Sequence, residues 1–201
     1  MTGYTPTEAS LLTGLPLTAV RRALEDDAVP SQSVRFGRAV QRVISGEGLL
    51  CLKLEHLGVG RFPLAYRKRI YRAVLAQPNI PQLKESEVVV IEVRRARTDL
   101  KSAMATYKKA HAMVVEDPEI MGGTPVIRET RVPVHLVAEM RRQGTSVEEV
   151  LKGYPTITRE QVALAELYAQ AHPRRGPKTQ TRLPRGARVI ARKVYPLKRA
   201  S

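Results

Sequence analysis

A mainly helical fold with small β-hairpins is predicted for this 201-residue chain, arranged as two winged-type helix-turn-helix domains and a basic C-terminal tail. Three features predict it. Helix-start signals recur at Thr5, Ser146 and Thr158, each with Glu or Gln three positions later. The β-prone runs are short and flanked by glycine or proline. Charge is unevenly divided: residues 1–72 carry a balance of +5, residues 73–172 a balance of zero, and residues 173–201 ten basic side chains with no acidic one. The expected organisation is a helix-turn-helix domain over 1–80, a second over 87–172 that serves dimerisation, and a cationic tail over 173–201. Pro173, Pro177, Pro184 and Pro196, with two glycines and mutual repulsion of like charges, predict a tail that is disordered when alone.

Thr5-Pro6-Thr7-Glu8 opens the first helix, with Thr5 as N-cap, Pro6 in the first turn and Glu8 closing a capping box. Gly14 ends that helix and Pro16 opens the next, whose Leu17, Val20 and Leu24 recur at helical spacing. Ala9 allows close helix approach, and the outer face of the second helix shows Thr18, Arg21, Arg22 and Glu25. Thr18, Arg21 and Arg22 are the expected DNA-reading residues. Val34-Arg35-Phe36-Gly37-Arg38 and Val40-Gln41-Arg42-Val43 then resemble a wing, placing Arg35 and Arg38 on phosphate or in the minor groove. Helices are expected near 47–57 and 63–76, the latter carrying Arg67, Lys68, Arg69 and Arg72 either as a binding cluster or as a solvated face. Gln77-Pro78-Asn79-Ile80-Pro81 breaks the pattern.

Glu87–Val93 reads as a strand buried on both faces because its apolar character is nearly continuous. After it, Ala96, Leu100, Ala103, Met104, Tyr107 and His111 share one helical stripe, with His111 a packed residue at its edge. The glycine pair at 122–123, the turn at Glu129-Thr130 and the β-branched residues around them predict a hairpin, with Pro133 starting a helix that stops at Gly144. Ser146 to Glu149 caps a short helix, and Thr158 to Gln161 caps a longer one reaching about His172. The outer positions of this second helix pair are Arg159, Glu160, Gln161, Glu166 and Gln170, a mixed surface poorly suited to phosphate.

The net charge of +15 directs attention to nucleic acid or an acidic protein as partner. With no Trp, two Phe and seven Tyr, the chain is poor in the aromatics that stack on single-stranded bases, which disfavours a binder of that type. Cys51 is the sole cysteine, which excludes an internal disulfide and predicts a cytoplasmic protein, and it falls in an apolar run that reads as core. His56, His111, His135 and His172 fall into no metal-ligand spacing, so neither metal nor cofactor is expected. The opening residues lack a charged and apolar leader, and no apolar run approaches ~18 residues; neither secretion nor a membrane span is expected. Gly58-Val59-Gly60-Arg61-Phe62-Pro63 lacks the third glycine of a dinucleotide loop, and no phosphate-loop motif is present. Glu116, Asp117 and Glu119 read as a turn. No enzymatic constellation is visible, and the chain is expected to catalyse nothing.

The run Asp117-Pro118, Gly122-Gly123-Thr124-Pro125-Val126-Ile127 and Thr130-Arg131-Val132-Pro133-Val134, within residues 115–173, resembles the bacterial family known as domain of unknown function 433, departing at Glu129 where a glycine is common. The longer form, with an N-terminal helix-turn-helix, resembles VapB-type antitoxins, and Ala9, Thr13-Gly14 and Arg21-Arg22 resemble the reading head of MerR-like regulators. These resemblances imply an antitoxin that binds its operator DNA and neutralises a PIN-like ribonuclease, and they carry no catalytic residues. The tail has the matching chemistry: guanidinium groups bind carboxylates bidentately. Arg182, Arg185, Arg188, Arg192 and Lys193 supply charge, and Val189, Ile190, Val194 and Tyr195 supply an apolar face that can order against a groove. The alternatives are a stand-alone transcription regulator whose tail contacts DNA phosphates, and an architectural binder without sequence preference.

Overall fold

A computed structural model describes residues 3–36 and 39–174. It is mainly helical with three small antiparallel strand pairs. Helix α1 (Pro6–Thr13) begins at the Thr5–Glu8 capping box and ends on Gly14, whose φ of 77° is left-handed backbone. A Cβ at Gly14 would also stand 3.2 Å from the His56 ring, so conformation and close packing both favour glycine there. Three residues later α2 (Leu17–Glu25) starts, burying Val20, Ala23 and Leu24. Ala9, completely buried, lets α1 pack closely.

Strands β1 (Ser31–Phe36) and β2 (Ala39–Ile44) pair antiparallel, with Phe36 opposite Ala39, and Tyr4 bridges to Ile44 of β2. The hairpin is longer than the two runs read from sequence. Its end feeds α3 (Gly46–His56), capped by Ser45. Gly48 lies so close to the chain before β1 that a Cβ would meet the Pro30 carbonyl oxygen at 2.3 Å; glycine is what allows α3 to seat there. A single helical turn at Val59–Arg61 leads into α4 (Leu64–Ala76). Cys51 is buried in this core, and burial, reinforced by Glu47 and Glu55, pushes its thiol up to about 12.

The apolar run expected to be a fully buried strand is instead largely exposed. β3 (Gln82–Lys84) and β4 (Val90–Glu92) form an isolated antiparallel pair, with only Leu83 and Ile91 turned inward. Val88 is 92% exposed, and Val93 already belongs to the next helix. A two-stranded ribbon has one covered face, so a continuous apolar run cannot be buried on both sides without further strands.

Helix α5 (Val93–Met113) carries the expected stripe. Its longer N-terminal part, through Ala96, Leu100 and Tyr107, joins the core of α1–α4, which therefore continues across 77–81; its end, through Ala110 and Met113, joins a second core. There β5 (Val114–Val115) pairs with β6 (Val126–Ile127). The Glu129-Thr130 turn is present, with Thr130 donating to the Ile127 carbonyl, but β6 draws its ladder from β5 and makes only an isolated bridge to Pro133. Glu129 has φ of 63°, the conformation that favours glycine. Helices α6 (Val134–Arg142), α7 (Val147–Gly153) and α8 (Arg159–Ala171) follow, with both expected capping boxes formed at Ser146 and Thr158. α8 packs on α5 and α6 and reaches α1, so Ala171 closes the first core while Val162, Ala165 and Tyr168 fill the second. Among the described residues no helix is long and apolar enough to cross a membrane.

Candidate functional site

The outer face of α2 presents Thr18, Arg21, Arg22 and Glu25 to solvent. Amphipathicity accounts for this: seating Val20, Ala23 and Leu24 inward leaves these four positions outward. Among the described residues neither guanidinium group is engaged in an ion pair or hydrogen bond. Their surroundings contrast with those of the other basic clusters. Arg42, on β2, donates to the Leu24 carbonyl, to Asp27 at 2.5 Å and to Ser31 at 2.8 Å, fastening the hairpin to the end of α2. On α4, Arg67 pairs with buried Glu55 at 2.6 Å and lies 3.9 Å from Asp26, while Arg69 pairs with Glu85 and sits 4.5 Å over the Tyr66 ring. These arginines are occupied in holding the fold, as the solvated-face reading of α4 did not anticipate.

Arg35 lies on β1 opposite Val40, its side chain outside the described part of the structure. Arg38 lies outside the described residues, as do Arg182, Arg185, Arg188, Val189, Ile190, Arg192, Lys193, Val194 and Tyr195 of the tail. Of the residues expected to bind, the structure thus brings Thr18, Arg21 and Arg22 together on one exposed surface. On the second helix pair, Arg159 pairs with Glu148 at 2.6 Å, Glu160 with Lys109 at 3.6 Å and Glu166 with Arg141 at 3.5 Å. That surface is already internally neutralised.

A second cluster was not legible from residue spacing. Where α1, α5 and α8 meet, the Tyr107 hydroxyl donates to Glu8 Oε1 at 2.5 Å and lies 2.7 Å from His111 Nε2. His111 Nε2 is in turn 2.8 Å from His172 Nε2, and His172 lies 3.8 Å from the same Glu8 oxygen. The other Glu8 oxygen accepts from the Thr5 amide at 2.6 Å, so the capping box that starts α1 also aims its carboxylate into the junction. Beside this cluster the Tyr168 hydroxyl donates to Glu116 at 2.7 Å. Burial, and then the hydrogen bond to Glu8, push the Tyr107 phenol above its ordinary value. Burial and neighbouring His111 hold His172 below the usual histidine range, which favours neutral imidazole, with Glu8 and Glu116 opposing. The only local signal was Tyr107 and His111 four apart on one helical face.

Comparison with known proteins adds two findings. The family described as "Protein of unknown function (DUF433)" matches residues 114–169, the stretch from β5 into α8. An uncharacterized protein, y4eO, of Sinorhizobium fredii is 27% identical over 183 residues, covering 84% of this chain and 81% of that relative. A likeness of that extent runs well beyond the family segment into the N-terminal half.

Proposed function

We propose that this chain is the antitoxin of a type II toxin–antitoxin system, a cytoplasmic homodimer that binds operator DNA and neutralises a PIN-like ribonuclease. The observation that carries the DNA-binding half is the exposed and unengaged set Thr18, Arg21 and Arg22 on α2. In this reading α1 and α2 are a helix-turn-helix, α2 enters the major groove and the β1–β2 hairpin is the wing. A helix of this length contacts few bases, so operator affinity requires two copies and two half-sites. Arg35 and Arg38 add phosphate or minor-groove contacts.

The nuclease half rests on composition. PIN-like nucleases gather carboxylates around divalent ions to hydrolyse RNA. Arg182, Arg185, Arg188, Arg192 and Lys193 complement such a site, and Val189, Ile190, Val194 and Tyr195 anchor the segment so that the guanidinium groups of Arg188 and Arg192 enter it. The chain acts by occupying a site and catalyses nothing. The second reading, a stand-alone regulator, is favoured by the tail's ten cations without an acid, since tracking DNA phosphate needs charge alone.

The test is inhibition of the ribonuclease encoded beside this gene. A chain ending at His172 should remain folded, keep specific DNA binding and lose inhibition. Replacing Val189, Ile190 and Val194 with Ser keeps every positive charge and should reduce inhibition by at least about tenfold, equivalent to ~1.4 kcal/mol of docking energy. Full inhibition by that triple variant leaves only a charge effect. An adjacent gene that encodes no carboxylate-centred nuclease contradicts the antitoxin reading. Deleting a tail that tracks DNA would instead flatten log K against log salt by roughly 0.9 for each phosphate that the tail had neutralised.

A further inference from the structure

We propose that Glu8, His111 and His172 form a binding site for a divalent first-row transition ion of the zinc class, tying α1 to α5 and α8. Glu8 Oε1, His111 Nε2 and His172 Nε2 all lie within 4.8 Å of one another. With the Tyr107 hydroxyl they form a four-atom group in which five of the six separations measure 2.5, 2.7, 2.8, 3.4 and 3.8 Å, and the sixth, Glu8 Oε1 to His111 Nε2, is within 4.8 Å. Ligands held about 2.0 Å from a tetrahedral zinc stand about 3.3 Å apart, between the 2.8 Å of the His111–His172 pair and the 3.8 Å of the His172–Glu8 pair. Two imidazoles and a carboxylate are donors for zinc, cobalt or nickel rather than for magnesium or calcium, which favour all-oxygen shells.

Proton counting supplies an independent reason. A ring nitrogen carries either one hydrogen or one lone pair. The Tyr107 hydrogen is committed to Glu8 Oε1, so His111 Nε2 must spend its own hydrogen on the Tyr107 oxygen. That leaves His111 Nε2 nothing to offer His172 Nε2, which faces it at 2.8 Å. Either a second hydrogen or a second lone pair is forced into this gap. A cation between the two rings removes the conflict, because both nitrogens then present lone pairs to it. Tyr107 keeps its bond to Glu8 or takes the fourth position.

The charge arrangement agrees. Glu8 is 9% exposed, and the sole cationic-type group within ion-pairing distance among the described residues is His172. A buried carboxylate without a firm counter-charge is costly, and a divalent ion would supply one. His111 is exposed, which leaves an open side for entry of the ion. The site holds residues from positions 8, 111 and 172, so occupancy restrains α1 against α5 and the end of α8, just outside the two limits of the 114–169 segment. This site is independent of the antitoxin reading, and neither its success nor its failure bears on DNA or nuclease binding.

The experiment uses the untagged full-length chain, stripped with chelator and titrated first with Co2+ and then with Zn2+. We expect one Co2+ per chain with the intense visible bands of tetrahedral coordination, displaced by Zn2+. At a hundredfold excess over Kd, Zn2+ should raise the melting midpoint by about 5–11 °C. H111Q and H172Q should each weaken binding at least a hundredfold, whereas H135Q, outside the set, should bind as the parent does. Because His111 is exposed, H111Q tests the ligand with little risk to the fold, and protection of the buried Cys51 thiol reports that the fold is intact. Failure to bind one ion per chain, binding undiminished in H111Q with H172Q combined, or equal loss in H135Q would overturn the site.

Discussion

Tyr107 donates a 2.5 Å hydrogen bond to the carboxylate of Glu8, ninety-nine positions earlier in the chain. The bond ties α1 directly to α5 and closes the junction at which α8 also arrives. Its acceptor is 12% exposed at the side chain, so loss of the donor leaves a buried carboxylate oxygen undersatisfied. Tyr107→Phe, measured with chelator present, should cost about 2 kcal/mol and lower the melting midpoint by about 4–8 °C. An unchanged midpoint would show that the junction contributes little to stability.

Glu129 occupies left-handed backbone at φ 63°. For an L-residue that conformation costs about 1–2 kcal/mol, partly offset by the greater unfolded-state freedom of glycine. Glu129→Gly should therefore stabilise the chain by about 0.5–1 kcal/mol in urea denaturation, against the usual direction of a substitution to glycine. Destabilisation would mean that the Glu129 side chain makes a contribution larger than its backbone strain.

Burial, then Arg174 and His172, hold His135 below its ordinary value of 6.5, and burial and His111 do the same for His172. The folded chain thus binds fewer protons than the unfolded chain just below pH 6.5. Their stabilising contribution is fully present above that value and is lost as pH falls through it towards the lowered folded values. With chelator present, urea midpoints should be lower at about pH 5.5 than at about pH 7.5, and His135→Gln should make the difference smaller. An equal or higher midpoint at the acidic value contradicts the direction of these shifts.

Leu57, Val88 and Val90 are exposed apolar side chains near one another, lining a shallow cleft with Phe62 and Val59. If the dimer of the proposed antitoxin uses residues 88–172, V88D with V90D should convert a sedimenting dimer to monomer at micromolar concentration without altering the helical content. A parent chain that sediments as a monomer, free and DNA-bound, contradicts the dimer.

What could be read from sequence was what is decided locally. The three capping boxes, Gly14 as a helix stop and Pro133 as a helix start depend on residues within four positions of each other. The exposed face of α2 followed from its apolar spacing alone. Residues 87–93 misled because an apolar run records only that burial is available, whereas the number of neighbouring strands decides whether it occurs; here β3 is the single partner. The junction escaped notice because His111 and His172 are sixty-one positions apart and Glu8 and Tyr107 ninety-nine. No local spacing encodes such a meeting. Arg42 and Arg67, read as part of a basic surface, proved to be fasteners because their acidic partners lie on other elements.

The proposed DNA-reading role of α2 is tested most directly by nuclease footprinting of the DNA upstream of this gene with the parent chain, R21A/R22A and R159A. The parent should protect two half-sites, R159A should protect the same ones, and R21A/R22A should lose selectivity while retaining salt-sensitive nonspecific binding. Continued protection of the same site by R21A/R22A, with protection abolished in R159A, would show that the reading surface is the second helix pair and not α2.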